Sequence, residues 1–279
     1  FLDPVSIQGG TGSIALDGTL TGNDNSSIAL NASTINLNYG INTNKNPIAL
    51  NGTVKLGNDI NLSTGGGDIK IIGALDGNHL LNLDAATGNV LVQGNIGGTA
   101  PLFVVNVKAT KAEFTGNIAS NSGFNIAATT SLGGNVTTNQ GNININGVLG
   151  LTKDAVLSTG GGNIAFGGAI DSIDAARNLN LAAGSGSITF SAPVGATGQL
   201  ANVAIKNAGD VTANSTINAQ SLRVNSAGNI NFLGNVTASN AGNGGAIELL
   251  SPQGKVNAKD LNTAGNTGGN ITVKALNSI

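Results

Sequence analysis

The fold of this chain is decided by a stretch of sequence that occurs twice. Residues 58–76 read NDINLSTGGGDIKIIGALD and residues 153–171 read KDAVLSTGGGNIAFGGAID, with 11 of 19 positions identical at an offset of 95. After a small shift, the similarity continues from Leu80–Leu102 into Asn178–Leu200. A unit covering about residues 58–118 has therefore been duplicated as about residues 153–217.

Within each long unit, a shorter cycle places Gly-Asn or Gly-Asp before alternating apolar residues. Examples are Gly67–Ile71, Gly141–Ile145, Gly162–Phe166 and Gly228–Phe232. Successive examples are mostly ~20 residues apart or a multiple of that, which is the range typical of solenoids. Alternation with period two between Gly, Asn, Asp, Ser and Thr predicts short strands joined by turns. Asp171–Ala183 could be argued as a helix, but it matches strand-like sequence in the other copy, so strand and turn are predicted there too.

Such short strands bury enough surface only when an equivalent strand lies ~4.8 Å above and below each of them. The sequence therefore predicts an all-β parallel β-helix, or β-solenoid, of about 12 to 14 coils with ~20 to 24 residues each, roughly 60 Å long. Inward positions such as Ile69 and Ile71, or Ile143 and Ile145, form ladders, and Asn side chains form amide ladders between coils. The alternative is an antiparallel sandwich. Its hairpins would join alternating strands of equal length, whereas here segments of unequal length recur in the same chain direction.

The organisation of the chain indicates one domain. No charged, Pro-rich or Ser-rich linker divides it, so a single continuous solenoid is predicted over residues 1–279. Both ends read as core strands, at Phe1-Leu2 with Val5–Ile7 and at Ile271–Leu276. We therefore expect more β-helix to cover the ends, either as further chain or as another copy stacked head to tail in a filament.

The composition excludes several classes of function. The 12 basic and 14 acidic side chains are spread thinly, so the chain has no charge pattern for nucleic acid or an anionic membrane. No apolar run approaches the ~20 residues that cross a bilayer. The 43 Gly and 42 Asn supply turns, while the absence of Cys and Met suits an oxidising exterior. With seven Phe, one Tyr and no Trp, the predicted core is thin, and Phe is expected to point mostly inward.

The single histidine offers little catalytic chemistry. His79 lies in the turn Asp76–His79 and aligns with Asp174 in the second copy, so no repeated role is indicated. Without Cys, and with one His, thiol chemistry and histidine triads lack their parts. His79 is therefore predicted to be a solvated turn residue.

Carboxylates are the remaining candidates for catalysis, because acidic pairs cleave polysaccharides in many enzymes. The only Glu residues are Glu113 and Glu248. The duplicated acids are Asp59 with Asp154 and Asp76 with Asp171. Because these positions fall beside turns, where Asp caps backbone amides, a structural role is predicted for them. No catalytic residue and no cofactor site is predicted.

The runs Gly65–Asp68 and Gly160–Asn163 are similar to glycine-rich calcium-binding repeats. Asp68 is replaced by Asn163 in the second copy, and no array of nine-residue repeats follows. No metal site is predicted, and Asp68 is the first residue to test for calcium.

Four segments resemble the β-strand repeats of large bacterial exoproteins of the filamentous haemagglutinin kind, including the Gly/Asn-rich surface proteins common in cyanobacteria. These segments are LNLDAATGNVLVQGNIGGTAPL, GGNIAFGGAI, GNINFLGNVTAS and GNTGGNITVKAL. The resemblance covers most of the chain, most clearly Asn58–Ile279, and no binding residue of such proteins has a fixed position to carry over. It implies a right-handed parallel β-helix, secretion from a Gram-negative cell, and service as an adhesin or surface fibre.

Two functions follow as expectations. The first is a noncatalytic extracellular structural protein, a rigid β-helical rod of a surface fibre, filament or adhesin stalk, with surface glycans or host cells as its other partners. The second is a carbohydrate-active enzyme or a glycan-binding module, which needs two acids or aromatic platforms on adjacent coils. Tyr39 is the only Tyr, and Phe is mostly in inward register, so the sequence favours the structural protein.

Overall fold

The structure, a computed structural model, describes residues 2–24 and 26–276. Within these residues the chain is all-β, with 58% of it in strands and no helix, and its parallel coils stack as a β-solenoid of about 13 turns. The predicted fold class is therefore confirmed. Asp171–Ala183 also agrees with its prediction, since it contains β-structure at Ile170–Ser172 and Leu179–Ala182 with a turn between.

The chain divides into two compact units, Phe1–Gly134 and Asn135–Ile279, which we call unit 1 and unit 2. The first copy of the duplicated sequence lies in unit 1 and the second copy lies in unit 2. Each unit is described by itself below, and one continuous solenoid over residues 1–279 stays a prediction.

Unit 1 contains twelve strands within its described residues. They are β1 (Val5–Leu16), β2 (Leu20–Gly22), β3 (Ile28–Leu37), β4 (Ile41–Thr43), β5 (Ile48–Leu56), β6 (Ile60–Ser63), β7 (Ile69–Ile72), β8 (Leu75–Asp76), β9 (Leu80–Asp84), β10 (Asn89–Val92), β11 (Leu102–Phe114) and β12 (Ile118–Leu132).

Parallel pairing brings like residues of unit 1 together in ladders. One ladder pairs Ile28 with Ile48, Ile48 with Ile69 and Ile69 with Val90. All four side chains are buried, because alternate residues of each short strand point inward and stack on their equivalents in the next coil. These ladders form the thin aliphatic core that the composition predicts.

Unit 2 contains the other eighteen strands of the described chain. They are β13 (Val136–Thr138), β14 (Asn142–Ile145), β15 (Leu149–Leu151), β16 (Ala155–Ser158), β17 (Ile164–Phe166), β18 (Ile170–Ser172), β19 (Leu179–Ala182), β20 (Ile188–Phe190), β21 (Leu200–Asn207), β22 (Val211–Ala213), β23 (Ile217–Asn225), β24 (Ile230–Phe232), β25 (Val236–Asn240), β26 (Asn243–Gly244), β27 (Ile247–Ser251), β28 (Val256–Ala258), β29 (Leu261–Asn262) and β30 (Ile271–Ala275).

Coil length in unit 2 varies more than the sequence spacing predicts. Val211 pairs with Ile230, 19 residues on, whereas Ile230 pairs with Val256, 26 residues on. The variation is accommodated in turns, because the paired strand residues stay in register along the ladder. Strands β25 and β26 pair antiparallel as a small hairpin, with Ser239 opposite Gly244 and Asn240 opposite Asn243.

Asn side chains form the predicted amide ladders. In unit 1, Asn106 donates its amide N–H to Asn82 Oδ1 at 2.8 Å, and Asn125 donates to Asn106 Oδ1 at 2.9 Å. Asn51 donates to Asn31 in the same way. Part-buried amides thus satisfy one another along the stack.

The corner that carries the duplicated TGGG sequence has the same construction in both copies. Thr64 and Thr159 are fully buried, and their hydroxyls donate to the carbonyl oxygens of Gly67 and Gly162, three residues on. A Cβ added to Gly67 would collide with the backbone of Asn46 in the neighbouring coil. Glycine is therefore required here by the close approach of two coils, which explains why it is retained in both copies.

Candidate functional site

The duplicated aspartates at the first candidate position bond to backbone amides of the following coil. Leu80 N–H donates to Asp59 Oδ1 at 2.9 Å, and Asn178 N–H donates to Asp154 Oδ1 at 2.9 Å. Asn178 also donates its side-chain N–H to Asp154 Oδ2 at 2.7 Å. Both carboxylates hold two coils together.

The second duplicated pair does the same at another position of the coil. Asp76 Oδ1 accepts the N–H groups of Thr99 and Ala100 at 2.8 and 3.1 Å. Asp171 Oδ1 accepts those of Thr197 and Gly198 at 2.9 and 3.0 Å. The prediction that these aspartates cap backbone amides is confirmed, and the bonds connect successive coils rather than neighbouring residues of one turn.

Asp68, the first residue to test for calcium, also bonds to the next coil. Its Oδ1 accepts Asn89 N–H at 2.8 Å, and its counterpart Asn163 accepts Ser187 N–H at 2.8 Å. Either side chain supplies the acceptor oxygen, which explains why Asp and Asn replace each other here. No group of three or more His, Cys, Asp or Glu side chains that could hold a metal ion occurs within residues 2–24 and 26–276.

The electrostatics of Asp154 reflect its partners. The N–H of Asn178, and after it the side-chain amide of the same residue, hold the pKa of Asp154 below its ordinary value of 3.8. Burial opposes this lowering of the pKa, and the charge of Arg177 adds the smallest contribution to it. A carboxylate stabilised in its charged form is suited to accept hydrogen bonds and unsuited to donate a proton at neutral pH.

One corner of the coil differs from the others because its loops vary in length. In unit 1 these loops are residues 38–40, 57–59, 77–79 and 97–101, and in unit 2 they include residues 152–154, 173–178 and 195–199. We call this position the loop corner of each unit. Solenoids concentrate insertions on one side, which often carries the binding function.

Four outward residues follow one another across successive coils at the loop corner of unit 1. Asn58, His79 and Phe103 occupy equivalent positions, and Tyr39 lies at the same corner of the preceding coil. We call these four residues the ring column. Ile60 pairs with Leu81 and Leu80 pairs with Val104, which places His79 level with Asn58 and with Phe103. Tyr39 lies in a corner two residues shorter, between Leu37, which pairs with Leu56, and Ile41, which pairs with Leu62. Phe103 N–H donates to His79 O at 3.0 Å, so these two residues are direct neighbours.

Exposure separates the ring column from the other aromatic residues. Tyr39 and Phe103 are each 49% exposed, whereas the five other described phenylalanines are buried. Those buried residues are Phe114, Phe124, Phe166, Phe190 and Phe232. The prediction that Phe points mostly inward is confirmed, and Phe103 is the exception. Sequence reasoning missed it because Phe103 lies in a continuous apolar run, 102–105, where alternation gives no direction.

His79 does not occupy the position that sequence alignment predicts. Its Nδ1 lies 3.7 Å from Asp59 Oδ1, and its counterpart in unit 2 is Arg177 rather than Asp174. Phe103 N–H donates to His79 O just as Ala201 N–H donates to Arg177 O. The prediction was wrong because residues 173–178 are three longer than residues 77–79, and this insertion displaces Asp174 from the equivalent position.

A groove opens beside the ring column on the same corner of unit 1. It has a volume of about 420 Å³ and is lined by Lys55, Asp76 and Thr99 among others. In the second copy the position of Lys55 is occupied by Gly150.

Glu248 belongs to an ion pair rather than to an acidic cluster. Arg223 Nε lies 3.2 Å from Glu248 Oε2, and the two residues are register partners on β23 and β27. Within residues 2–24 and 26–276, no helix is long and apolar enough to cross a membrane.

Comparison of the chain with protein-family profiles, curated proteins and solved structures finds no match.

Proposed function

We propose that this chain is a noncatalytic extracellular structural protein, the β-helical part of a surface fibre, filament or adhesin stalk of a Gram-negative bacterium. The single observation that carries the proposal is the use of the duplicated aspartates, all four of which accept backbone N–H groups from the following coil. The duplicated aspartates, which are the candidate acids for cleavage of a glycan, are engaged here in holding coils together.

The ladders add support of a different kind. Fully buried aliphatic side chains stack on like side chains within each unit, and part-buried Asn amides bond along the same direction. Within each unit, apolar contacts, main-chain bonds and side-chain bonds thus join neighbouring coils. Such nearest-neighbour construction suits a protein whose role is to extend and bear load.

Localisation is tested by labelling intact and permeabilised cells of the source organism with an antibody raised against this chain. Gold particles on the outside of intact cells, along fibres visible by electron microscopy, are expected. Labelling confined to permeabilised cells would contradict an extracellular role.

The absence of catalysis is tested by incubating the chain with bacterial and algal polysaccharides. We expect neither release of reducing ends nor formation of unsaturated products. Release that is lost in Asp154→Ala or Asp171→Ala would identify a carbohydrate-active enzyme, which is the alternative function.

Covering of the end coils, either by more β-helix of a longer chain or by another copy stacked head to tail, is part of the same proposal. Ile7 on β1 and Ile271 on β30 are 37% and 45% exposed, although both belong to strands with inward-facing equivalents elsewhere in the stack. Phe1, which the sequence-based expectation includes, lies outside the described residues. Sedimentation velocity of the chain over a range of concentrations is expected to show growing linear oligomers, reduced in Ile271→Lys. A monomer at all concentrations would contradict this association.

A further inference from the structure

We propose that the ring column of unit 1 is a binding site for a neutral polysaccharide, whose chain lies across successive coils with sugar rings stacked on Tyr39 and Phe103. This inference goes beyond the structural function proposed above and does not depend on it. It concerns Tyr39, Asn58, His79 and Phe103, which follow one another on four consecutive coils.

The first argument is the exposure of the rings. Aromatic side chains in this chain are few, and the buried ones fill the core, with Phe166 and Phe190 stacked at 5.3 Å between centroids. Tyr39 and Phe103 are each 49% exposed, so the fold loses the hydrophobic stabilisation that full burial of each ring would give. Both exposed rings of the described chain lie in the same column, which distinguishes them from scattered surface apolar residues.

The second argument is spacing. Tyr39 and Phe103 are three coils apart, which places them about 14 Å from each other along the stack at ~4.8 Å per coil. One coil rise is close to the length of one pyranose ring in an extended polysaccharide. A chain running along the column can therefore place one sugar over each terminal ring and two over the residues between them.

The third argument is the polar chemistry between and beside the rings. Asn58 is exposed and donates to Asn38 O at 3.1 Å, while the His79 side chain is 37% exposed beside Asp59, which is 72% exposed. Amide, imidazole and carboxylate groups offer the mixture of donors and acceptors that sugar hydroxyls require. Aromatic faces combined with a few polar groups are typical of sites for polar ring-shaped ligands.

The charge around the column selects a neutral ligand. Residues 1–134 contain five Lys, no Arg and eight carboxylates. Asp17 lies at the same corner, where its Oδ1 accepts the side-chain N–H of Asn38 at 2.6 Å. Lys55 and Asp76 line the groove beside the column, so the carboxylates of Asp17, Asp59 and Asp76 outnumber the one Lys there. These carboxylates would repel a polyanion such as a uronic acid polymer, so a neutral hexose or pentose polymer is the better fit.

The second copy provides an internal contrast. The positions of Asn58, His79 and Phe103 are occupied by Lys153, Arg177 and Ala201, so the equivalent column has no rings. The aspartate bonds between coils are the same in both copies, which shows that the scaffold does not require the rings. The ring column is an addition to the surface of unit 1.

The test is affinity electrophoresis of the full chain in gels that contain single polysaccharides, with linear glucan, mannan, xylan and agarose as neutral polymers and alginate and polygalacturonate as acidic ones. We expect at least one neutral polymer to retard the protein. Tyr39→Ala and Phe103→Ala are each expected to weaken that binding by about tenfold. Because Tyr39 is the only Tyr and the chain lacks Trp, its fluorescence should also change when the polymer is added.

Leu233→Ala is the matched control, since Leu233 is an apolar residue 56% exposed in unit 2. It should bind the neutral polymer like the unchanged chain, and circular dichroism should be the same for all variants. The proposal is overturned if no neutral polymer binds, if the Tyr39→Ala/Phe103→Ala double variant still binds, or if only acidic polymers bind. It is equally overturned if the double variant abolishes self-association instead of polysaccharide binding, because the rings would then serve contacts between copies.

Discussion

The two copies of the duplicated unit agree in what holds coils together and differ in what they present to solvent. Asp59 and Asp154 each accept an N–H group from the following coil at 2.9 Å, and the buried Thr64 and Thr159 bond to glycine carbonyls in the same way. On the outer surface, however, Phe103 is matched by Ala201. The comparison separates positions that the fold requires from positions that are free to acquire a function.

Substitutions in the core are expected to cause the largest loss of stability, and this loss can be compared between the two copies. Phe166 in the second copy stacks on Phe190 with the rings 6° from parallel, while the first copy has Ile71 at the equivalent position. Phe166→Ala is expected to lower the free energy of unfolding by about 3–5 kcal/mol, and Ile71→Ala by about 2–4 kcal/mol, because the smaller residue leaves the smaller void.

Urea denaturation followed by circular dichroism measures both changes. The Leu233→Ala variant, whose side chain is exposed, should change the free energy by less than about 0.5 kcal/mol. A larger loss in Ile71→Ala than in Phe166→Ala would show that the cores of the two copies are not equivalent.

Removal of the buried hydroxyl should affect the two copies equally. Thr64→Val and Thr159→Val keep the shape of the side chain but deprive the carbonyl oxygens of Gly67 and Gly162 of a donor. We expect each variant to lose about 1–3 kcal/mol of unfolding free energy. Thr64→Ser and Thr159→Ser retain the donor and should lose less. Thermal denaturation of the four variants checks the prediction, which fails if Val and Ser have the same effect.

The bonds between coils at Asp76 and Asp171 should contribute less, because these side chains are partly solvated. Asp76→Ala and Asp171→Ala are each expected to cost about 1 kcal/mol, measured by urea denaturation. Asp68→Asn is the control, since Asn163 occupies this position in the second copy and makes the same bond. A loss in Asp68→Asn as large as in Asp76→Ala would mean that charge, rather than the acceptor oxygen, is what matters.

The smallest predicted effect is the pH dependence of Asp154. Its pKa is held below 3.8 in the folded chain, chiefly by the N–H of Asn178, so its contribution to stability is complete above that value. The contribution is lost as the pH falls through the lowered pKa. The difference in unfolding free energy between the unchanged chain and Asp154→Asn should therefore be constant above about pH 5 and shrink from about pH 5 to about pH 2. A difference that is constant over this range would contradict the assigned cause.

Much of the fold could be predicted because it repeats. Alternation in segments such as Gly162–Phe166 gives the direction of each side chain, and duplication fixes which segments are equivalent. Turn residues beside Asp59 and Asp76 also indicated their role as caps. The sequence of one turn could not show that each aspartate bonds to the following coil, because the residue that donates the N–H group is more than twenty residues away.

The ring column illustrates what the sequence could not provide. Tyr39 and Phe103 are 64 residues apart, and their alignment depends on the length of every loop between them. A three-residue insertion in the second copy was enough to pair His79 with Asp174 instead of Arg177. Residues at outward positions do not repeat from coil to coil as the inward residues do. Their sequence pattern therefore cannot reveal a misalignment such as that of His79 with Asp174.

The aspartate bonds between coils also have a direction. At Asp59, Asp68, Asp76, Asp154 and Asp171, the acceptor always belongs to the earlier coil and the donated N–H to the later one. Because the chain is synthesised from its amino end, each acceptor carboxylate is made before the N–H group that donates to it. We therefore expect each finished coil to act as a template for its successor, so that the stack grows in the order of synthesis.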